Sequence, residues 1–334
     1  MSLDALIREA RAPLSRGDTE RLFQSIFRGE LDETQLIAYL TATADRKPSV
    51  EELVGAVTAM RAHMRPVTAP AGAIDLCGTG GDGLGTLNIS TAVSFVVAAA
   101  GVPVAKHGNR SATSRSGAAD VLETLGVKIG LEPELATRVL EETGIVFLFA
   151  QTHHPAMKHV GAARKAIGRR TIFNLLGPLA SPAGVKRQLI GVFSADWLGP
   201  YAKALHLLGS SSARIVHGRD GLDEVSISEA TQVAVLDNGT VTLGEIAPEQ
   251  AGLARAPLAA IVGGDAVYNA SALRRLFDGE PGPYRDIVCL NAAAALMVAG
   301  AASGIKAGVE IAARQLSSGA ARDKLNELIA ASNA

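Results

Sequence analysis

The apolar residues within the first 64 positions recur at the spacing of amphipathic helices. The clearest stripe comprises Leu53, Val57, Met60 and Met64, which fall on one face of a helix. The Ser-Val-Glu-Glu sequence at residues 49–52 is a capping box and predicts that this helix begins there. We therefore expect residues 1–69 to form a small all-helical domain that ends in a proline-bearing linker.

Beyond the linker, short β-rich runs alternate with helical patterns. This alternation predicts a larger α/β domain over residues 70–334, with a mainly parallel central sheet flanked by helices. The alanine-rich stretch at residues 271–333 is predicted to be mostly helical and to contribute only packing. The predicted strands are 73–76, 102–107, 146–149, 188–191, 214–217 and 233–236, and two of the predicted helices are 91–100 and 118–125.

Composition narrows the functional classes. The chain has 334 residues, of which 48% are hydrophobic and 19% charged, with a formal net charge of −1. A near-neutral chain argues against general nucleic-acid binding, and only 4% aromatic residues argue against base stacking. The N-terminus lacks the apolar core of a signal peptide, and the longest apolar runs are too short to span a bilayer. The two cysteines are isolated in the sequence, as is usual in a reducing compartment. We therefore expect a cytoplasmic protein with no membrane or nucleic-acid partner.

The first candidate for chemistry is a glycine-rich loop. Five glycines lie within residues 78–85, and Asn88, Ser90 and Thr91 follow. Glycine lets several backbone N–H groups approach one anion, because no Cβ blocks the approach. A tight turn without a ligand is the simplest alternative, but five glycines in eight residues make it the less favoured one.

A dinucleotide site is a second alternative for the same loop. Gly78, Gly80 and Gly83 satisfy the GxGxxG pattern after a short predicted strand. That fingerprint also requires an acidic residue about 20 positions later, where this chain instead has Lys106 and His107. No GK[ST] follows, which excludes a Walker A loop.

The second candidate loop spans residues 106–115 and is rich in cationic, amide and hydroxyl side chains. Such groups donate hydrogen bonds to phosphate oxygens. Both loops follow predicted strands, and ligands of open α/β sheets bind at the carboxyl ends of the strands. A phosphorylated small molecule is the ligand that this pair of loops predicts.

Several motifs along the chain resemble those of one family. Taken together, they are similar to the motifs of the anthranilate phosphoribosyltransferases of tryptophan biosynthesis, in order and over nearly the whole chain. KHGN alone also resembles the pyrimidine-nucleoside phosphorylases of the same fold. The motifs are 78–82 (GTGGD), 88–91 (NIST), 106–110 (KHGNR), 116–120 (SGAAD), 154–158 (HPAMK), 170–174 (RTIFN), 177–178 (GP) and 217–224 (HGRDGLDE).

This resemblance implies an activity and a set of ligands. It implies a homodimeric transferase that converts anthranilate and 5-phosphoribosyl 1-diphosphate to N-(5-phosphoribosyl)anthranilate and diphosphate. It implies Mg²⁺ as the cofactor, with two ions. A nucleoside phosphorylase and a catalytically silent nucleic-acid-binding paralogue are the alternatives, and the Asp223–Glu224 pair and the net charge argue against them.

The resemblance also assigns residues to each ligand. It implies that Gly78, Asn109 and Arg164 bind anthranilate and that Ser90, Asp223 and Glu224 bind the metal. The residues that it implies for phosphoribosyl diphosphate are Gly78, Gly81, Asp82, Thr86, Asn88, Ile89, Ser90, Thr91, Lys106, His107, Gly108, Asn109, Arg110, Ser111, Ala112, Thr113 and Ser114.

The chemistry of these side chains agrees with the implied roles. A hydroxyl and two carboxylates suit Mg²⁺, although an isolated Asp-Glu pair is more often solvated. An arginine guanidinium can bind a planar carboxylate through two hydrogen bonds, although an arginine in the basic run 158–170 more often lies on a solvated helix face. An aromatic amine is already a neutral nucleophile, so we assign no catalytic base and expect His107 and His154 to form pocket walls or to make hydrogen bonds within the loops.

Two residues depart from the family pattern. Ala118 stands where many relatives have serine, so a phosphate contact there is lost or is made by the backbone. Thr113 replaces a frequent serine and keeps the hydroxyl. We expect these changes to alter donor affinity and not the reaction.

Overall fold

Four capped helices form the N-terminal region of the computed structural model, which describes residues 2–111 and 115–334. The predicted capping box is present: the Ser49 hydroxyl accepts a bond from the Glu52 N–H, and the Glu52 carboxylate accepts one from the Ser49 N–H at 2.8 Å. Side chains likewise cap the other three helices. The helices are α1 (Leu3–Glu9), α2 (Arg16–Phe27), α3 (Glu33–Ala44) and α4 (Val50–Ala62).

Seven strands form one mixed sheet in the order β3-β2-β1-β4-β5-β6-β7. The first five strands pair in parallel, and β6 and β7 continue the sheet in antiparallel pairing. The mainly parallel sheet predicted from the alternating pattern is thereby confirmed. The strands are β1 (Ile74–Gly78), β2 (Val104–Gly108), β3 (Ile145–Phe149), β4 (Arg187–Gly191), β5 (Ser212–Gly218), β6 (Thr231–Asp237) and β7 (Thr240–Ile246).

Strand β7 was not among the predicted strands. Its residues are largely exposed, with Leu243 73% accessible, so the strand shows no alternation of buried and exposed positions. The signal present in the sequence was the Asn238–Gly239 turn, where both residues have positive φ, as a tight hairpin requires.

Helices cover both faces of the sheet and bury a separate apolar cluster on each. On β4 and β5, Leu189 and Val216 enter one cluster, whereas Ile190 and Ile215 enter the other. Within the described part of the chain, no helix is long and apolar enough to cross a membrane. The remaining helices are α5 (Ile89–Ala99), α6 (Ala118–Thr124), α7 (Pro133–Thr143), α8 (Ala150–His153), α9 (Gly161–Ile167), α10 (Phe173–Leu176), α11 (Leu198–Leu207), α12 (Ala266–Phe277), α13 (Pro283–Ala299), α14 (Ile305–Ser317) and α15 (Ala320–Asn333).

The N-terminal helices do not enclose a core of their own. Their apolar residues share one cluster with residues from the segment 160–236, and the rings of Phe23 and Phe173 lie 5.4 Å apart within it. Arg61 adds polar contacts by donating hydrogen bonds to the carbonyls of Leu179 and Leu208. The helical region is therefore fixed to one face of the sheet by a common core.

Candidate active site

The carboxyl ends of four neighbouring strands converge on one site. Strands β1, β2, β4 and β5 each end at a glycine, at Gly78, Gly108, Gly191 and Gly218. Gly191 is required by close packing, because a Cβ built there would lie 1.5 Å from the Asp223 carbonyl oxygen. The absence of side chains at these ends lets the loop after β5 cross over the end of β4 and reach the loop after β1.

The glycine-rich loop after β1 has the backbone that its sequence predicts. Gly80, Gly81, Gly83 and Gly85 have φ values of 65°, 81°, 75° and 62°, a region that favours glycine. Helix α5 then begins at Ile89, and its N-cap residue makes no side-chain capping bond. The loop therefore leads into a helix N-terminus whose N–H groups have a positive end dipole, which favours an anion.

The two carboxylates predicted to bind metal lie beside this loop. Asp223 Oδ2 accepts a hydrogen bond of 3.0 Å from the Gly80 N–H. Burial and repulsion from Asp82 raise the pKa of Asp223 to about 7. Burial and repulsion from Asp223 raise the pKa of Glu224 to about 8, although Lys106 and the Ser90 N–H oppose this shift. The neighbouring groups of the chain therefore do not fully balance the negative charge of these two carboxylates.

These residues fit a hard divalent cation as partial ligands. Among residues 2–111 and 115–334, no group of three or more histidine, cysteine or acidic side chains could hold a metal ion unaided. Mg²⁺ usually keeps several waters and substrate oxygens as ligands, so a hydroxyl and two carboxylates are a sufficient protein contribution. Ser90, Asp223 and Glu224 supply that donor set.

Lys106 joins strand β1 to helix α5, the two elements on either side of the glycine-rich loop. The ammonium donates hydrogen bonds to the Leu76 carbonyl at 2.5 Å and to Ser90 Oγ at 3.1 Å. Burial lowers the pKa of Lys106, which nevertheless lies close to the acids Asp75 and Glu224. The structure thus brings Lys106, Ser90 and the carboxylate pair together, as the sequence analysis predicted.

His107, at the start of the second loop, packs against His154, and both side chains are buried. Their rings lie 5.1 Å apart, and the backbone N–H of His107 donates a hydrogen bond to Asp75 Oδ1 at 2.9 Å. Burial lowers the pKa of His107 well below its usual range and that of His154 to about 4. Both imidazoles are therefore neutral and enclosed.

The second loop is held in place by an acid that the sequence analysis did not assign. Asp120 Oδ2 accepts hydrogen bonds from the N–H groups of Ser111 and Gly117. Its other oxygen pairs with Arg110 at 2.9 Å, and Glu123 pairs with the same guanidinium. The charge of Arg110 is thus already balanced within the protein. The predicted donor ligands Ala112, Thr113 and Ser114 lie outside the described residues.

Two arginines lie on the segment that follows α8. Arg164 lies 5.7 Å from the Phe173 ring, and burial lowers its pKa. No ion pair or hydrogen bond to the Arg164 guanidinium occurs among the described residues, so the structure does not link it directly to Gly78 or Asn109. Arg170, which the sequence analysis did not assign, donates to the Gly81 carbonyl and stacks 4.1 Å over Phe193.

Asn88 is anchored from the C-terminal half of the chain. Asn269 Nδ2 donates to Asn88 Oδ1 at 2.8 Å, and the Tyr284 hydroxyl donates to the Asn88 carbonyl at 3.4 Å. Thr86 also forms an antiparallel bridge with Val262. The expectation that residues 271–333 only pack is therefore corrected at Tyr284. No local sequence pattern marks these contacts, because the partners are about 180 or more residues apart.

Comparison with known proteins adds independent findings. A model of the glycosyl transferase family, helical bundle domain, matches residues 3–64, and a model of the glycosyl transferase family, a/b domain, matches residues 71–322. The chain is 55% identical over 323 residues to the anthranilate phosphoribosyltransferase of Rhodopseudomonas palustris (strain ATCC BAA-98 / CGA009), covering 97% of this chain and 96% of that relative.

Solved structures agree with these sequence matches. The crystal structure of anthranilate phosphoribosyltransferase from Thermus thermophilus superposes with a TM-score of 0.93 and 40% identity, covering 98% of this chain and 99% of that one. The Saccharomyces cerevisiae enzyme in complex with PRPP and Mg gives a TM-score of 0.92 and 28% identity, covering 99% of this chain and 98% of that one.

Proposed function

The chain belongs to the anthranilate phosphoribosyltransferase family, and from this membership we infer its reaction. It transfers the 5-phosphoribosyl group from 5-phosphoribosyl 1-diphosphate to the amino group of anthranilate, a reaction of tryptophan biosynthesis. The bond from ribose C1 to the diphosphate oxygen breaks, the bond from C1 to nitrogen forms, and the amine loses a proton. One observation carries the proposal: an uncapped helix N-terminus, a buried lysine and a charge-deficient acid pair meet at one glycine-rich loop.

We propose that the phosphoribosyl donor binds over the carboxyl ends of β1 and β2. The positive-φ glycines Gly81, Gly83 and Gly85 have no Cβ to keep an anion from the backbone, and the start of α5 lies beside the Lys106 ammonium. Lys106 would stabilise negative charge that grows on the departing diphosphate. The proposed donor ligands remain those that the resemblance implies, with Arg110 held by Asp120 and Glu123 as a support for its loop.

We propose that Mg²⁺ binds with the donor at Ser90, Asp223 and Glu224. The bound cation would neutralise charge on the leaving diphosphate. The two carboxylates lie near different groups, Asp223 near the Gly80 N–H and Glu224 near Lys106 and the Ser90 N–H. The proposed number of ions remains the two that the family resemblance implies.

We propose that Arg164 binds the carboxylate of anthranilate, with Gly78 and Asn109 completing the acceptor site. The Arg164 guanidinium is partly buried, lies over an aromatic ring and pairs with no acid among the described residues, so a ligand carboxylate would complete its interactions. Since the amine attacks as a neutral group, the protein's part is to align it with C1 and exclude water. The buried neutral His107 and His154 would serve as walls.

We also propose the organisation that the sequence predicts. The boundary between a helical domain (1–69) and an α/β domain (70–334) is supported by the two family models, which meet at the linker between residues 64 and 71. A homodimer follows from the family resemblance, and a solution mass of twice the chain mass would support it. A cytoplasmic location is consistent with the two free cysteines, Cys77 and Cys289.

The decisive assay follows the loss of anthranilate fluorescence with phosphoribosyl diphosphate and Mg²⁺. We expect decay that requires both additions and is abolished in a variant carrying Asp223→Asn and Glu224→Gln. The matched control removes two exposed charges away from the site, with Asp237→Asn and Glu310→Gln, and should react as the unmodified protein does. An absence of decay under every condition would overturn the proposal. Phosphate-dependent cleavage of a pyrimidine nucleoside would favour the phosphorylase alternative instead.

A further inference from the structure

Asn269 is a buried amide that the reaction outlined above does not use. It lies on α12, is 3% exposed, and makes two hydrogen bonds of 2.8 Å. Its Oδ1 accepts from the Gly264 N–H, and its Nδ2 donates to Asn88 Oδ1. A buried amide that is hydrogen-bonded through both its oxygen and its nitrogen fixes the orientation of whatever it contacts.

The direction of these bonds is set by the backbone. The Gly264 N–H can only donate, so Asn269 must turn its oxygen toward Gly264 and its Nδ2 toward Asn88. Asn88 must then present its oxygen to Asn269. The two N–H donors of Asn88 Nδ2 are left without an acceptor among the described residues, at the end of the glycine-rich loop.

The same contact prevents the Asn88 side chain from capping α5. Asparagine at an N-cap ordinarily accepts a hydrogen bond from an N–H in the first helical turn. Asn88 occupies the N-cap of α5 but makes no such bond, and its oxygen is instead held by Asn269. The Ser90 N–H in the first turn of α5 is therefore not taken by Asn88 and instead donates to Glu224, on the side where the acid pair and Lys106 lie.

A short backbone strap, residues 261–263, is hydrogen-bonded to the glycine-rich loop region and holds the arrangement in place. The Gly263 N–H donates to the Gly85 carbonyl at 2.8 Å, and the Leu87 N–H donates to the Ile261 carbonyl at 2.9 Å. A Cβ on Gly263 would lie 2.8 Å from the Thr86 carbonyl oxygen and 2.9 Å from Asn269 Oδ1. The strap thus brings α12 and the glycine-rich loop together too closely for a side chain at residue 263.

We propose that Asn269 is a positioning residue for the phosphoribosyl donor. It orients the Asn88 amide so that Nδ2 donates to a phosphate or ribose oxygen, and it withholds the Asn88 oxygen from the N-terminus of α5. This inference rests on the proposed function, because it assumes that the donor occupies the glycine-rich loop. It assigns a role in donor binding to a residue of α12, far from the loop in sequence.

The test compares Asn269→Asp with Asn269→Leu. Aspartate keeps the shape and can still accept from Gly264, but an ionised carboxylate cannot donate to Asn88. A hydrogen bond to a charged group contributes enough for its loss to weaken binding about 10- to 100-fold. We expect both variants to raise the Kd for phosphoribosyl diphosphate by that factor, whereas kcat at saturating donor and KM for anthranilate change less than about twofold.

A double-mutant cycle with Asn88→Ala separates positioning from general stability. If Asn269 acts through Asn88, Asn269→Asp adds little further loss of donor affinity once Asn88 is alanine. Tyr268→Phe is the control, because it alters an exposed side chain of the same helix, α12, and leaves the Asn269–Asn88 contact intact; it should change the donor Kd less than about twofold.

Three results would count against the proposal. Unchanged donor affinity in Asn269→Asp would overturn it, and so would losses that multiply in the double variant, since they would show that the two residues act independently. Failure of the unmodified protein to bind phosphoribosyl diphosphate would overturn the proposed function and this inference with it, which distinguishes that failure from the first two.

Discussion

Two acidic sites in this protein differ in how far the chain itself supplies the positive charge that balances their carboxylates. In the helical region, Glu52 is 1% exposed and pairs with Arg46 through bonds of 2.5 and 2.8 Å. Burial opposes ionisation of Glu52, but hydrogen bonds from Arg46 and from two backbone N–H groups lower its pKa below the usual range. At the strand ends, Asp223 has no cationic partner and Glu224 has only the nearby Lys106, which does not offset burial and repulsion, and the pKa values of both acids are raised.

This difference separates Glu52, an acid that stabilises the fold, from Asp223 and Glu224, which are placed to bind a cationic ligand. The chain supplies the buried Glu52 carboxylate with a counter-charge and hydrogen-bond donors, so we assign it a role in stability only. It supplies Asp223 and Glu224 with one N–H each and Glu224 with the nearby Lys106, but burial and mutual repulsion outweigh these groups, so a cation from outside would complete the site. A satisfied acid should govern stability, and an unsatisfied acid should govern activity.

The largest expected effect is on turnover. Glu224→Gln should lower kcat/KM by about a thousandfold, because loss of a metal ligand removes several kcal/mol of transition-state stabilisation. In metal-free buffer the variant should unfold at the same temperature as the unmodified protein or a higher one, because the repulsion with Asp223 is gone. The fluorescence assay and thermal unfolding check the two parts. A marked fall in unfolding temperature would show that Glu224 is a structural acid and would remove the contrast.

The next effect is on stability. Glu52→Gln should lower the free energy of unfolding by about 3 kcal/mol, because it leaves the Arg46 guanidinium partly buried without its counter-charge. Denaturant unfolding measures the loss, and kcat per folded molecule should stay unchanged. A variant that keeps its stability but loses turnover would reverse the assignment of roles.

The pH dependence of this difference has a predicted sign. Because the pKa of Glu52 is lower in the folded state than in the unfolded state, its ionisation stabilises the fold above the unfolded pKa of about 4.3. That contribution is lost as pH falls through the lowered folded value. The gap in unfolding free energy between the unmodified protein and Glu52→Gln should therefore be full at pH 7 and should narrow below about pH 4.3. A gap that widened in acid would contradict the lowered pKa.

The smallest effect comes from the neighbouring exposed acid. Glu51 pairs with Arg16 at 2.8 Å, but both side chains are about half exposed, at 51% and 42%. Solvent screens such a pair, so Glu51→Gln should change the free energy of unfolding by no more than about 0.5 kcal/mol. A loss comparable to that of Glu52→Gln would show that proximity in sequence, and not burial, decides the cost.

Much of this organisation was predictable because it is periodic or local. The capping box at residues 49–52, the alternation of strands and helices, and the position of both loops after strands followed from neighbouring residues. The contacts of Asn269, Tyr284 and Arg170 were not predicted, because each joins segments that only the tertiary fold brings together. The contacts of Asp120 are local, with Gly117 three residues away, but no role was assigned to this acid from the sequence. Strand β7 was missed because an exposed edge strand carries no alternating pattern.

The shared apolar cluster beneath the N-terminal helices also affects how the protein is made. These helices leave the ribosome roughly 100 residues before their packing partners in the segment 160–236, which at ordinary synthesis rates is about 5–20 s. During that interval the faces bearing Phe23 and Leu53 have no complete surface to cover them. The nascent chain therefore presents an apolar surface for ribosome-associated chaperones until the second half of the sheet has been translated.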